Sequence, residues 1–172
     1  MAFGRKAREG VLAGALVGAA SGVIASWVME KAQGPIWKLG GEATRRRERD
    51  AQGDLEPATV RVAERAARAV GRPLPDARKG AAGEAVHYAT GAALGALFGV
   101  LAPRTALPAL VAGAVFGGAV WLLNDETLVP ALGFSRKPWD YPASTHAKSL
   151  AAHLVYGAAT GAGFRLIDAA VR

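Results

Sequence analysis

Apolar residues along the chain gather into four blocks instead of alternating with polar ones. The bilayer core is about 30 Å thick, and roughly 20 helical residues at about 1.5 Å each cross it. The blocks predict spans at about 10–30, 85–102, 107–124 and 147–165. Between the first two lies a polar loop, 31–80, that holds most of the charge. Within it, Pro57 suits a first helical turn, and Gly71, Pro73 and Pro75 break the helical pattern, so a helix is predicted over about 57–70. The fold class expected is an all-α polytopic membrane protein, with four transmembrane helices packed through ridges of small residues. Its long polar loop carries one amphipathic helix.

Inside the blocks the small residues are periodic. Gly10, Gly14, Gly18 and Gly22 recur every four positions in the first block. Gly91, Gly95 and Gly99 do so in the second, Gly113 and Gly117 in the third, and Gly157 and Gly161 in the fourth. Residues four apart share one side of a helix. A glycine inside a helix costs about 1 kcal/mol relative to alanine in water, which argues against a soluble Ala/Gly-rich bundle. In lipid, where apolar contact alone does not hold helices together, small residues permit close backbone approach. The ridges therefore read as glycine-zipper packing, within the chain or to a protein partner or second copy. The basic start (Arg5, Lys6, Arg8) also fits a secretory signal, but the first block is long for one and three more come after it.

Threading four spans sorts the polar residues by side. With the N-terminus on side A, Glu30 closes the first helix on side B, and His87 and Tyr88 enter the second from there. Asn124, Asp125 and Glu126 close the third, and His146 and His153 open the fourth. All three His and all four Trp fall on side B. His87, Asp125 and His153 also extend the glycine ridges, so they face protein. The candidate site is thus a polar cluster of Glu30, His87, Asp125, Glu126 and His153, with His87 and His153 brought within hydrogen-bonding or ligand-bridging reach. Ionisable residues at membrane depth face the bundle interior or a water-filled cavity. Such a cluster has a structural reading, as interhelical hydrogen bonds. It also has a proton- or ion-handling reading, and a haem or divalent-metal reading through the His pair. Ser149 and His153 lie four apart, but no nucleophile elbow accompanies them, so no catalytic residues are assigned.

Composition narrows the picture. The chain has 172 residues, 39 of them Ala and 22 Gly, and a net charge of +7. With no cysteine, a disulfide framework, a Cys-based zinc site and a thiolate nucleophile are excluded. On the loop helix Arg61, Arg65, Arg68 and Arg72 form one face, and Val60, Ala63, Ala67 and Val70 another. A basic amphipathic helix lies on an anionic lipid surface or stands solvated. The loop's acidic residues dilute its charge and no recognition motif appears, so nucleic acid is not expected as a partner. The loops of side B carry more Lys and Arg than side A, which favours a cytoplasmic side B. Arg5, Lys6 and Arg8, flush against the first helix, pull the other way.

The stretches "HYATGAALGALFGVL", "VAGAVFGGAVWLLNDETLVPALGF" and "HAKSLAAHLVYGAATG", with "WVMEKAQ" and "GGEATRRRERDAQGDLEPAT", resemble the YagU-like family of uncharacterised bacterial inner-membrane proteins. The most specific part runs from Trp121 through Gly133 and joins the spacing of His146 and His153. The resemblance implies a multi-pass protein of the bacterial inner membrane with no settled activity and an association with acid resistance. The function expected is therefore that of a small, non-enzymatic membrane protein, accessory or stress-related, without a cofactor. A haem-, metal- or proton-binding protein using His87 and His153 is the alternative.

Overall fold

Each apolar block becomes a helix in the computed structural model, which describes residues 2–171, with side chains from Glu9 on. The basic side chains of Arg5, Lys6 and Arg8, and Arg172, lie outside the described residues. The elements are α1 (Ala2–Lys38), α2 (Glu42–Gln52), α3 (Ala58–Ala69), α4 (Asp76–Leu101) and α5 (Ala109–Val120). A π-helical segment, Trp121–Leu128, continues α5 and leads into the single turn α6 (Val129–Ala131), and α7 (Ala143–Val171) ends the chain. Among the described residues there is no strand.

Two pairs of helices pack backbone to backbone. In the α1/α4 seam, a Cβ placed on Gly14 would stand 2.8 Å from the Gly99 carbonyl oxygen. One on Gly18 would overlap the carbonyl of Gly95, and one on Gly22 that of Gly91. Each step of four up one helix is matched by a step of four down the other, so the pair is antiparallel. The α5/α7 seam repeats the geometry, with Gly113 against Gly157, Gly117 against the His153 carbonyl, and Gly161 against Ala109. Gly10 has no such partner, because nothing lies within 4 Å of a Cβ built there. One further step along the seam would fall in the 3-10 turn Ala102–Arg104, where α4 has already ended.

The two pairs join through α1 and α7. Ser21 and Ala25 are fully buried on α1, and Ala152, Tyr156 and Thr160 on α7. Ser21 and Thr160 each satisfy their hydroxyl on the carbonyl four residues back, at 2.8 Å. The remaining seam, between α4 and α5, has few backbone approaches. Aromatic rings bridge it instead, Phe98 meeting Phe116 at 5.3 Å and Phe164 of α7 at 5.9 Å.

Burial is inverted relative to a protein folded in water. Small and hydroxylic side chains fill the seams, and Met29, Phe98, Tyr156 and Phe164 are the large apolar side chains buried between the four long helices, while Leu12 is 62%, Leu16 64%, Val115 61% and Leu123 66% exposed. The helices Glu9–Lys38 and Asp76–Arg104 are long and apolar enough to cross a membrane, with 28% and 22% of their apolar windows buried. Neither α5, with its π-helical break, nor α7, which carries His, Lys, Arg and Asp, reaches that measure.

The region expected as a loop is shorter and more ordered than its composition implies. Glu30 does not close α1, which continues through Pro35 to Lys38. There Gly40, at φ +85°, turns the chain, and the Arg45 guanidinium donates to the carbonyls of Lys38 and Gly40, meeting the negative helix end. The second span begins early, at Asp76. Two helices, not one, lie between. α2 has no apolar periodicity to announce it, and α3 matches the expected 57–70 closely. The apolar side of α3 is covered over its first turns, where Val60 and Ala63 are buried and Val60 packs at Gly83 of α4, whereas Val70, at the helix end, is exposed. Of its Arg face, Arg65 lies over the Phe134 ring, Arg68 pairs with Glu64, and Arg72 falls beyond the helix end.

Alanine at Gly95 or Gly157 must push two backbones apart. Each substitution is expected to cost about 1–3 kcal/mol and to lower the thermal midpoint in detergent. At Gly118 the nearest atom is 3.8 Å away, so Gly118→Ala should be neutral or slightly stabilising. Equal midpoints for all three variants would show that the seams are not close-packed.

Candidate functional site

Where α4 and α5 part, toward the α2 and α3 end, they leave a cleft of about 1220 Å³. Ser26 on α1, Leu94 on α4, Val120 on α5 and Tyr156 on α7 line it. Phe98, Phe116 and Phe164 lie one turn or more farther along their helices and close the bottom. α2, α3 and the segment 132–141 form the rim.

All five residues of the predicted cluster, Glu30, His87, Asp125, Glu126 and His153, line this one cleft, and His146 joins them. They arrive from α1, α4, the π-helical segment and α7. The two His expected to meet have other partners. The His87 Nε2 donates to the Ser26 carbonyl at 3.3 Å, across the α1/α4 seam. The His153 Nδ1 donates to the Ser149 carbonyl at 2.9 Å, on its own helix. Both acceptors are carbonyls, so in each ring the bonded nitrogen carries the proton and the other is bare when the ring is neutral.

Asp125 owes its place to the wide π turn. Thr127 Oγ1 donates to the Leu122 carbonyl, and the Val129 amide to Asn124, each five residues back. A π turn holds more residues than an α turn, so the spacing of four that runs Gly113, Gly117, Trp121 no longer fixes the direction of Asp125. Such segments occur often at functional sites. The carboxylate accepts from Ser149 Oγ at 2.8 Å and from the Asn124 amide at 3.0 Å, and stands 3.7 Å from His153 Nε2. Because the Ser149 hydroxyl donates to Asp125, Ser149 and His153 form no nucleophile–base pair.

The other titratable groups are tied into local pairs. Glu30 accepts from Lys31 and from the Tyr88 hydroxyl, both at 2.7 Å. Glu126 meets His146 Nδ1 at 2.7 Å, while His146 Nε2 donates to the Pro138 carbonyl at 3.0 Å. Among the described residues no three His, Asp or Glu side chains converge as a metal-ligand set. The metal alternative therefore has at most two such donors in any one place, Asp125 with His153 or Glu126 with His146.

One pair escaped the sequence reading. Glu48 of α2 and Lys148 of α7 are both buried and bond at 2.7 Å. Lys148 also donates to the Trp37 carbonyl at 3.4 Å and lies over the Trp37 ring. The signal available was a lone lysine at the head of the fourth apolar block, which needs a counter-charge. Its partner sits 100 residues away inside a run of six charges, 45–50, and cannot be picked out by spacing. Burial pushes the Glu48 carboxyl up, but the hydrogen bond and charge of Lys148 outweigh it and hold the group below its usual value.

Removing either partner leaves a buried charge uncompensated. Glu48→Gln and Lys148→Met are each expected to destabilise by about 3–5 kcal/mol, and the double variant Glu48→Leu/Lys148→Met to recover much of the loss. A carboxyl lower in the folded than in the unfolded chain contributes stability above its ordinary value, near 4.5, and loses it as pH falls through the folded value. The thermal midpoint of the native chain should thus drop on acidification below about pH 4.5 more steeply than that of the double variant. Parallel acid profiles would show that the pair contributes no pH-dependent stability.

Comparison of the chain with protein-family models, with curated proteins and with solved structures finds no match in any of the three.

Proposed function

We propose that this chain is a four-span protein of the bacterial inner membrane, of the YagU-like kind, and that it is non-enzymatic. Its cleft is a vestibule that receives a small ligand from the α2/α3 side. The observation that carries the reading is the inverted burial, which extends to all four helices. On α5 and α7, Leu110 is 58%, Leu154 40% and Leu166 72% exposed, as are their counterparts on α1 and α4. An aqueous protein would leave this surface wetted at a cost of about 25 cal/mol for each Å² of apolar area, whereas a bilayer covers it. The π-helical segment follows α5 without leaving helical backbone, both junction residues being helical, so Ala109–Ala131 is one continuous helical stretch. α7 falls short on hydropathy because of Lys148, Arg165 and Asp168 and the Gly, Ser, Thr and His among its buried and half-buried residues. Side B, with α2 and α3, takes the cytoplasmic face on its Lys and Arg content.

The absence of native cysteine makes this testable by single substitutions and a membrane-impermeant maleimide. In bilayer vesicles, Leu16→Cys and Val115→Cys should resist labelling from either side. Arg68→Cys on α3, at the rim, and Thr90→Cys on α4, inside the cleft one turn from Leu94, should label from one and the same side. Ready labelling of Val115→Cys from water would overturn the four-span reading.

A further inference from the structure

We propose that the cleft binds an organic ammonium ion carrying N–H donors, held between Asp125 Oδ1 and His153 Nε2. The inference rests on the vestibule reading above and names its ligand class.

His153 spends its Nδ1 proton on the Ser149 carbonyl. In the neutral ring Nε2 is then a bare acceptor, and it faces a second acceptor, Asp125 Oδ1, across 3.7 Å. That gap is too long for a hydrogen bond between them; Nε2 has no donor, and Oδ1, which accepts from the Asn124 amide at 3.0 Å, keeps a further lone pair. A nitrogen about 2.9 Å from each acceptor fits at the apex of the triangle they form. The Asp125 side chain is 33% exposed and that of His153 11%, so the gap is reached from the cleft.

The sign of the charge follows from the surroundings. Among the described residues no Lys or Arg comes within ion-pair distance of Asp125. With the His153 ring neutral, a carboxylate at this depth with only Ser149 and Asn124 as donors keeps a demand for a cation. The chain as a whole is +7, yet five carboxylates and three guanidiniums line the cleft. One of those guanidiniums, Arg45, is committed to the end of α1. An anion would meet Asp125 directly. A metal ion would find two protein donors where most sites supply three or more. A quaternary ammonium has the charge but no N–H to give. A primary or secondary ammonium satisfies both acceptors and neutralises the carboxylate, and its apolar body can lie against Met29, Leu94 and Val120.

Calorimetric titration of the purified full chain in phosphatidylcholine nanodiscs, at about pH 8 where imidazole is ordinarily neutral, tests this with water-soluble probes. Saturable 1:1 binding of n-hexylammonium is expected. Hexyltrimethylammonium should bind at least tenfold more weakly, and hexanoate not at all. Asp125→Asn should weaken hexylammonium binding at least tenfold without displacing the thermal midpoint by more than a few degrees. Equal binding of hexanoate or of the trimethyl compound by the native chain, which needs no variant, would overturn the proposal. So would unchanged affinity in Asp125→Asn, or no saturable hexylammonium binding. Failure here with Thr90→Cys still labelled from one side would condemn the ligand class alone, and failure of the labelling pattern would condemn the vestibule.

Discussion

Close backbone approach at glycine is the constraint on which the rest of the structure depends. The α1/α4 and α5/α7 seams place carbonyl oxygens where any side chain would have to stand. Apolar side chains that a soluble bundle would turn inward point outward. Inside the bundle, closely opposed backbones gain dispersion and hydroxyls bond to their own helices, beside a small apolar core of Met29, Phe98, Tyr156 and Phe164. Tight packing on both seams also makes each helix pair stiff, so the geometry of the interior is set by how the two pairs meet.

They meet unevenly, and the cleft is the result. α1 and α7 pack along their length through Ser21, Ala25, Ala152 and Tyr156. α4 and α5 have no glycine ridge facing one another. Phe98, Phe116 and Phe164 bridge them at one level, and beyond it the helices diverge around the polar residues. The π-helical turn belongs to the same arrangement, because it re-aims Asn124, Asp125 and Glu126 into the space just where α5 loses contact with α4. Polar groups at that depth need partners, and most find them in one another: Tyr88 with Glu30, His146 with Glu126, Ser149 with Asp125. His153 Nε2 and Asp125 Oδ1 are the pair left facing across a gap.

The rim is held by charge. α2 is strongly polar and presents no apolar face, so it cannot dock by burial. It is attached instead by the buried Glu48–Lys148 bond to α7 and by Arg45 at the end of α1. Tyr141 reaches Gln52 at 3.3 Å and ties the 132–141 segment to the same helix. Docking of this kind is directional. It fixes where the rim stands relative to His146 and His153, at the cost of desolvating two ions.

The sequence by itself determined the helical class, the four apolar blocks, the faces that carry glycine and the side on which His, Trp and carboxylates collect. All of these follow from short-range periodicity, since a spacing of four and a run of apolar residues are properties of neighbours along one helix. It also determined that Glu30, His87, Asp125, Glu126 and His153 belong to one region, because alternating helices carry them to the same end. Only the tertiary structure decided which ridge met which, that Gly10 lay past the end of its seam, and that His87 and His153 bonded to carbonyls instead of approaching each other. It likewise decided that α2 existed, through a partner 100 residues distant, and that the chain widened into a π turn at Trp121. Each of these depends on contacts between residues far apart in sequence, and local spacing carries no record of the distances and directions at which such residues meet.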